Sequence, residues 1–289
     1  IFVFVLKIAT YNFFSASLEQ MPMDTIVNLA SYVIEYSSIL IAMILSMIFL
    51  QVSIKMPIPV AFSYKSIPSN YSLPSIAIMI GLFFAITLIL DNIRTAASNI
   101  GIHFSNDIIP LASTPDFMVY VVFSIIALPV MYEYFFRGII LQSLRIFGDG
   151  AAIVISAIFA TIFYYNTGST FVYFIFSLCA GFFVIKSGSL SLSITSHITI
   201  ATIVTILAQL KEINPINEYY LIKGVIFIIL IAMAIGSVLF LLKTRVRPFY
   251  IQKPDCPFSF RKKLTLTCLS TYSILVFIVY FASTYYFIR

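Results

Sequence analysis

Charge is what this chain has least of. Only 10% of its 289 residues are charged and 61% are hydrophobic, whereas a soluble domain carries roughly 25% charged residues. That scarcity excludes an ordinary water-soluble fold. Cysteine is scarce too: Cys179, Cys256 and Cys268 are scattered and odd in number. They give neither a CxxC pair nor a disulfide framework and read as packing or loop thiols. Histidine occurs twice, at His103 and His197. A catalytic zinc takes three protein ligands, and Glu133 with His197 supplies at most two, so no metal and no other cofactor is expected. No internal repeat, low-complexity tract or nucleic-acid-binding module accompanies the net charge of +6. That charge reads as membrane topology and contact with anionic membrane lipids, with no nucleic-acid partner.

What is present in quantity is apolar sequence. Several runs reach the ~20 residues that a helix needs to cross the hydrocarbon core. A helical bundle satisfies its own backbone there, segment by segment. The expected fold is all-α, a polytopic transmembrane bundle of about eight to nine helices, with residues 1–289 as a single membrane domain. The expected spans are 1–17, 27–51, 73–99, 117–147, 150–166, 170–186, 189–211, 217–243 and 263–287. The first breaks at Tyr11 and Asn12 and opens on Ile1, which reads as a truncated helix. Pro57, Pro59, Pro68 and Pro74 mark a connection between two of the spans.

The loop charges orient the bundle. Lys243, Arg245, Arg247, Lys253, Arg261, Lys262 and Lys263 crowd one connection, so the positive-inside rule places the basic loop 243–263 in the cytoplasm. Counting back through the spans, the same side receives Lys55, Lys65, Arg145 and Lys186. The other side receives Glu19, Asp24, Asp107, Asp116, Glu212 and Glu218, with Lys211 as its main basic exception.

Within the span 117–147, the stretch MYEYFFRGII places Glu133 and Arg137 among aromatic and aliphatic residues. Four residues apart, they share a helix face and can pair. Each alone costs about 2.5 to 3.5 kcal/mol at a helix centre on insertion scales. Two readings stand at this point: a buried ion pair that fixes helix orientation, or polar groups of a functional cavity. Downstream, KSGSLSLSITSHITIA starts a helix after a Gly-Ser turn and carries His197 about two turns in. It is either a satisfied core histidine or a catalyst.

These motifs resemble those of the CPBP intramembrane proteases, which include the CAAX prenyl endopeptidases and bacteriocin-processing or immunity proteins. The family pattern is Glu-Glu-x-x-x-Arg in one helix, Phe-x-x-x-His in the next and His-x-x-x-Asn in a later one. Here YEYFFRG, SAIFATIF and SGSLSLSITSHITIA follow in that order and spacing, and the resemblance covers roughly residues 115–215. Position by position, Tyr132 stands for the first glutamate, Glu133 for the second and Arg137 for the arginine. Phe163 stands for the second-motif histidine, His197 for the last histidine and Ala201 for the asparagine. In the family, the first glutamate and the second-motif histidine are thought to hold and deprotonate water, while the last histidine and the asparagine stabilise the oxyanion. The resemblance therefore implies a catalytically impaired homologue that binds a membrane-embedded or lipidated peptide segment. Residual catalysis would fall to Glu133 and His197, with Arg137 in support. Tyr132, Tyr134, Phe135, Phe159, Phe163, Tyr164 and Tyr165 would be either an aromatic lining or packing bulk. Whether the chain is an enzyme stays open. An active endopeptidase with a rearranged Glu133/His197 site is one alternative, and a transporter or channel component using Asp91, Arg94 and Glu35 is another.

Overall fold

Helices start and stop here where the backbone leaves no other choice. In the computed structural model, residues 24–101, 114–163, 169–244 and 258–268 are described, and among them every regular element is helical. In chain order they are α1 (Asp24–Ile54), the short α2 (Ile58–Ala61), α3 (Ser69–Ser98), a long helical run α4 (114–147), α5 (Asp149–Phe163), α6 (Thr170–Ser187), α7 (Ser191–Ile213), α8 (Ile216–Lys243) and α9 (Phe260–Cys268). Pro68 and Pro215 stand immediately before α3 and α8 in extended conformations, where a missing N–H costs nothing. Gly148 and Gly188 take positive φ of 98° and 67° and turn the chain between antiparallel neighbours.

The protein is an integral membrane bundle. Five helices are long and apolar enough to cross a membrane: Ser69–Ser98, Phe117–Phe147, Thr170–Ser187, Ser191–Ile213 and Ile216–Lys243. The expected spans agree with them to within a few residues at each end. Of the expected span 150–166, the described part is α5, 15 residues that reach about 22 Å at 1.5 Å per residue, and 164–166 lie outside the described residues. The expected span 1–17 lies outside the described residues, as does 263–287 beyond Cys268.

The bundle is held at its centre by α3, which packs on α6, α7 and, most extensively, α8. Met79, Phe83 and Phe84 of α3 meet Phe176 and Phe183 of α6 and Phe227 of α8 in the largest apolar cluster. The α3–α8 pair is antiparallel: Gly81 faces Leu230 and Ala234, while Asp91 accepts from Lys223 Nζ at 2.7 Å. Arg94 closes that polar group, reaching Asp91 at 3.2 Å and the Ser169 hydroxyl at 3.2 Å. On its other faces α8 leaves Leu221, Val225, Ile228 and Met233 exposed, as a helix bordered by lipid does.

Without a hydrophobic drive between helices, close backbone approach is what a membrane seam depends on. A Cβ at Gly81 would stand 2.4 Å from Ala234 Cβ and 2.5 Å from the Leu230 carbonyl oxygen. Gly81→Leu is expected to lower stability by roughly 1 to 3 kcal/mol through overpacking, seen as a lower melting temperature in detergent by circular dichroism. Gly224→Leu on α8, where a Cβ meets nothing within 4 Å, is expected to leave that temperature nearly unchanged.

Candidate functional site

The site is built on α4, and α4 is not a plain α-helix. Two stretches, Val121–Ala127 and Tyr134–Ile140, are π-helical. They close on the N–H of Leu128 donating to the Phe123 carbonyl and that of Leu141 donating to the Phe136 carbonyl. Each of these bonds spans five residues. The first π stretch precedes Pro129, whose missing N–H already breaks the ordinary ladder. The second begins directly after Glu133 and contains Arg137 and Gly138. Widened turns of this kind are frequent at functional sites.

Glu133, Arg137 and His197 converge. His197 Nδ1 donates to Glu133 Oε1 at 2.9 Å, joining α7 to α4. Arg137 Nε lies 3.3 Å from Glu133 Oε2 on the same helix. Glu133 and Arg137 are fully buried and His197 almost so. The carboxylate thus has a cationic or hydrogen-bonding partner on each oxygen, which is how a buried charge is kept in a dry setting.

Tyr132 covers this group. Its ring stands edge-on to the His197 imidazole at 5.1 Å and 88°, and the Arg137 guanidinium lies 5.4 Å from its centroid. That is cation–π range. Phe136 packs on Tyr132 at 4.6 Å and Phe163 at 6.3 Å, while Phe176 meets the His197 ring at 5.2 Å. Phe163 therefore belongs to the same cluster as Tyr132. Ala201 lies one turn beyond His197 on α7, and its methyl offers nothing to hydrogen-bond. Tyr134 turns away from the group, its ring against Phe62 and its hydroxyl bonded to that of Tyr64. Tyr164, Tyr165 and His103 lie outside the described residues.

Sequence reasoning missed two participants. Ser193, one turn before His197, lies beside Glu133 and donates its hydroxyl to the Leu190 carbonyl at 3.0 Å. Its spacing of four from His197 was the available signal. In sequence the connection 57–65 shows only as a proline-marked loop, yet it packs directly on the Tyr134–Ile140 turn. Among the described residues no three His, Cys, Asp or Glu side chains gather in a way that holds a metal ion.

Residues 114–203 match the family model described as Rce1-like, a type II CAAX prenyl endopeptidase. This match agrees with the resemblance of the segment to the CPBP family. The matched interval contains Tyr132, Glu133, Arg137, Phe163, His197 and Ala201, begins one residue before the expected 115 and ends at 203 rather than 215. Comparison with curated proteins and with solved structures gave no match.

By that resemblance, the position of the family's first glutamate is filled here by the Tyr132 ring, which lies against His197 and Arg137. The second glutamate is engaged on both oxygens. Removing one member of a buried ion pair leaves the other uncompensated, which typically costs about 3 to 5 kcal/mol, whereas replacing both costs far less. Glu133→Gln alone is therefore expected to lower the melting temperature in detergent sharply. The double variant Glu133→Gln, Arg137→Met is expected to recover most of that loss.

Proposed function

We propose that the chain is a catalytically impaired member of the CPBP family that binds and retains a membrane-embedded or lipidated peptide segment without cutting it. One observation carries the reading: the Glu133 carboxylate, the nearest substitute for a general base, is already held by Arg137 and His197. General-base help is worth about 10² to 10⁴ in rate, and an oxyanion donor about 10² to 10³. Tyr132, Phe163 and Ala201 supply neither. Tyr132 and Phe163 put aromatic rings at two of these positions, with Tyr132 buried against His197 and Arg137.

A second reading has one feature in its favour. A histidine oriented by a carboxylate at 2.9 Å is also the arrangement of an activated base, so His197 held by Glu133 is the centre of a rearranged endopeptidase in that alternative. The transport alternative is weakened because Asp91 and Arg94 are engaged with Lys223 and Ser169. The side chain of Glu35 lies outside the described residues.

The deciding experiment uses purified protein in liposomes with a prenylated CAAX peptide and a panel of transmembrane peptides. The expected result is binding without cleavage. Tyr132→Glu, Phe163→His and Ala201→Asn introduced together are expected to bring weak cleavage. Cleavage by the unaltered protein that Glu133→Gln abolishes would overturn the binding reading and establish the rearranged protease.

The same membranes test orientation. The basic residues of the loop 243–263 place it in the cytoplasm by the positive-inside rule, and the segment 100–116 then lies outside. Cysteines introduced at Ser259 and Ser105 are expected to react with an impermeant reagent from opposite faces. Reaction of both from one face would refute this orientation.

A further inference from the structure

Residues 57–65 cross the bundle at the end where α4 finishes and α7 begins. They leave α1 through Lys55, whose φ of 54° is left-handed, the only such non-glycine among the described residues. An L side chain is strained there, and glycine is the residue that adopts this conformation freely. The Ala61 carbonyl then lies against Gly138 so closely that a Cβ on Gly138 would stand 2.4 Å from its oxygen. Phe62 packs edge-on against Tyr134 at 4.9 Å. Ser63 donates its hydroxyl to the Gly188 carbonyl at 2.6 Å, and its backbone carbonyl accepts the Leu190 N–H at 3.0 Å. The Tyr64 and Tyr134 hydroxyls are bonded to each other.

These contacts fall on both helices that carry the site. Gly138 follows Arg137, and Leu190 lies one turn before Ser193; a Cβ on Gly138 would come within 3.6 Å of the Leu190 side chain. The strap therefore bridges α4 and α7 between one and two turns from the Glu133–His197 pair, at its Lys65 and Gly188 end. Its outer face leaves Ile58 and Tyr64 exposed at 66% and 56%, flanked by Lys55 and Lys65. An apolar surface between two lysines suits the interface of a membrane. The polar attachments to the two helices are few, and the strained residue at its start favours departure over closure.

We propose that residues 57–65 are a gate, closed in this structure, whose displacement opens a path from the membrane interface to Glu133 and His197. That the path admits a peptide or lipidated segment rests on the binding function proposed above; that the strap controls access does not. A ligand-free measurement separates the two. In full-length protein in liposomes, with Cys179, Cys256 and Cys268 replaced by serine, Ser193→Cys reports access to a charged methanethiosulfonate reagent. A cysteine at Ser259 serves as the control for an accessible position.

Ser63→Ala with Tyr64→Phe removes two attachments and is expected to raise the Ser193→Cys reaction rate about tenfold. Lys55→Gly relieves the strain of the closed form and is expected to lower the rate by roughly fivefold. Opposite shifts with an unchanged Ser259→Cys control support the gate. Equal rates in all three backgrounds, no reaction in any of them, or shifts of the same sign overturn it. If the double variant does not fold, the direction of the Lys55→Gly shift decides. Failure of the peptide-binding assay with these opposite shifts intact would remove the proposed ligand and leave the gate.

Discussion

A single carboxylate, that of Glu133, ties α4 to α7. It lies fully buried between a guanidinium on its own helix and an imidazole on another. Charge attraction in a region without water acts over short distances with little screening, so the three side chains constrain α4 and α7 to one mutual position. Tyr132, Phe136 and Phe176 close around them, and the aromatic clusters beyond take their places from that arrangement. The rings of Tyr132, Phe136 and Phe176 also exclude water from the group, which lessens screening of the ion pair.

The same interaction bears on the proposed loss of catalysis, because the group that holds the two helices together does not depend on the positions where the family's water-handling residues would stand. In the family resemblance, the water-handling groups sit at Tyr132 and Phe163, and neither is needed to neutralise Glu133. Arg137 and His197 do that, and both are retained. The structural half of the constellation is thus separable from the reactive half. Replacing the reactive positions therefore leaves the buried Glu133–Arg137 ion pair in place.

Much of the architecture was legible in the sequence because a membrane leaves few options. Apolar run length set the helices from α3 to α8, and prolines and glycines set several of their ends. The meeting of Glu133, Arg137 and His197 was legible only through motif spacing and family resemblance, since no local pattern says that residues 64 apart will touch. The close approach of Ala61 to Gly138 was not legible at all. It depends on backbone geometry between distant segments, and a proline-marked connection in sequence gives no sign of where it docks.

The two π stretches of α4 bear on how this helix is compared with others. A widened turn accommodates about one residue more than an α turn, so the phase of everything after it slips by about 100° relative to an ideal wheel. A wheel drawn over 117–147 as uniform α-helix would assign residues after Ala127, and again after Ile140, to the wrong faces. A relative lacking one residue in either stretch could therefore keep every motif letter and still present Leu141 and Leu144 to lipid instead of to the core they occupy here. In alignments of this helix, single-residue gaps carry as much structural meaning as substitutions.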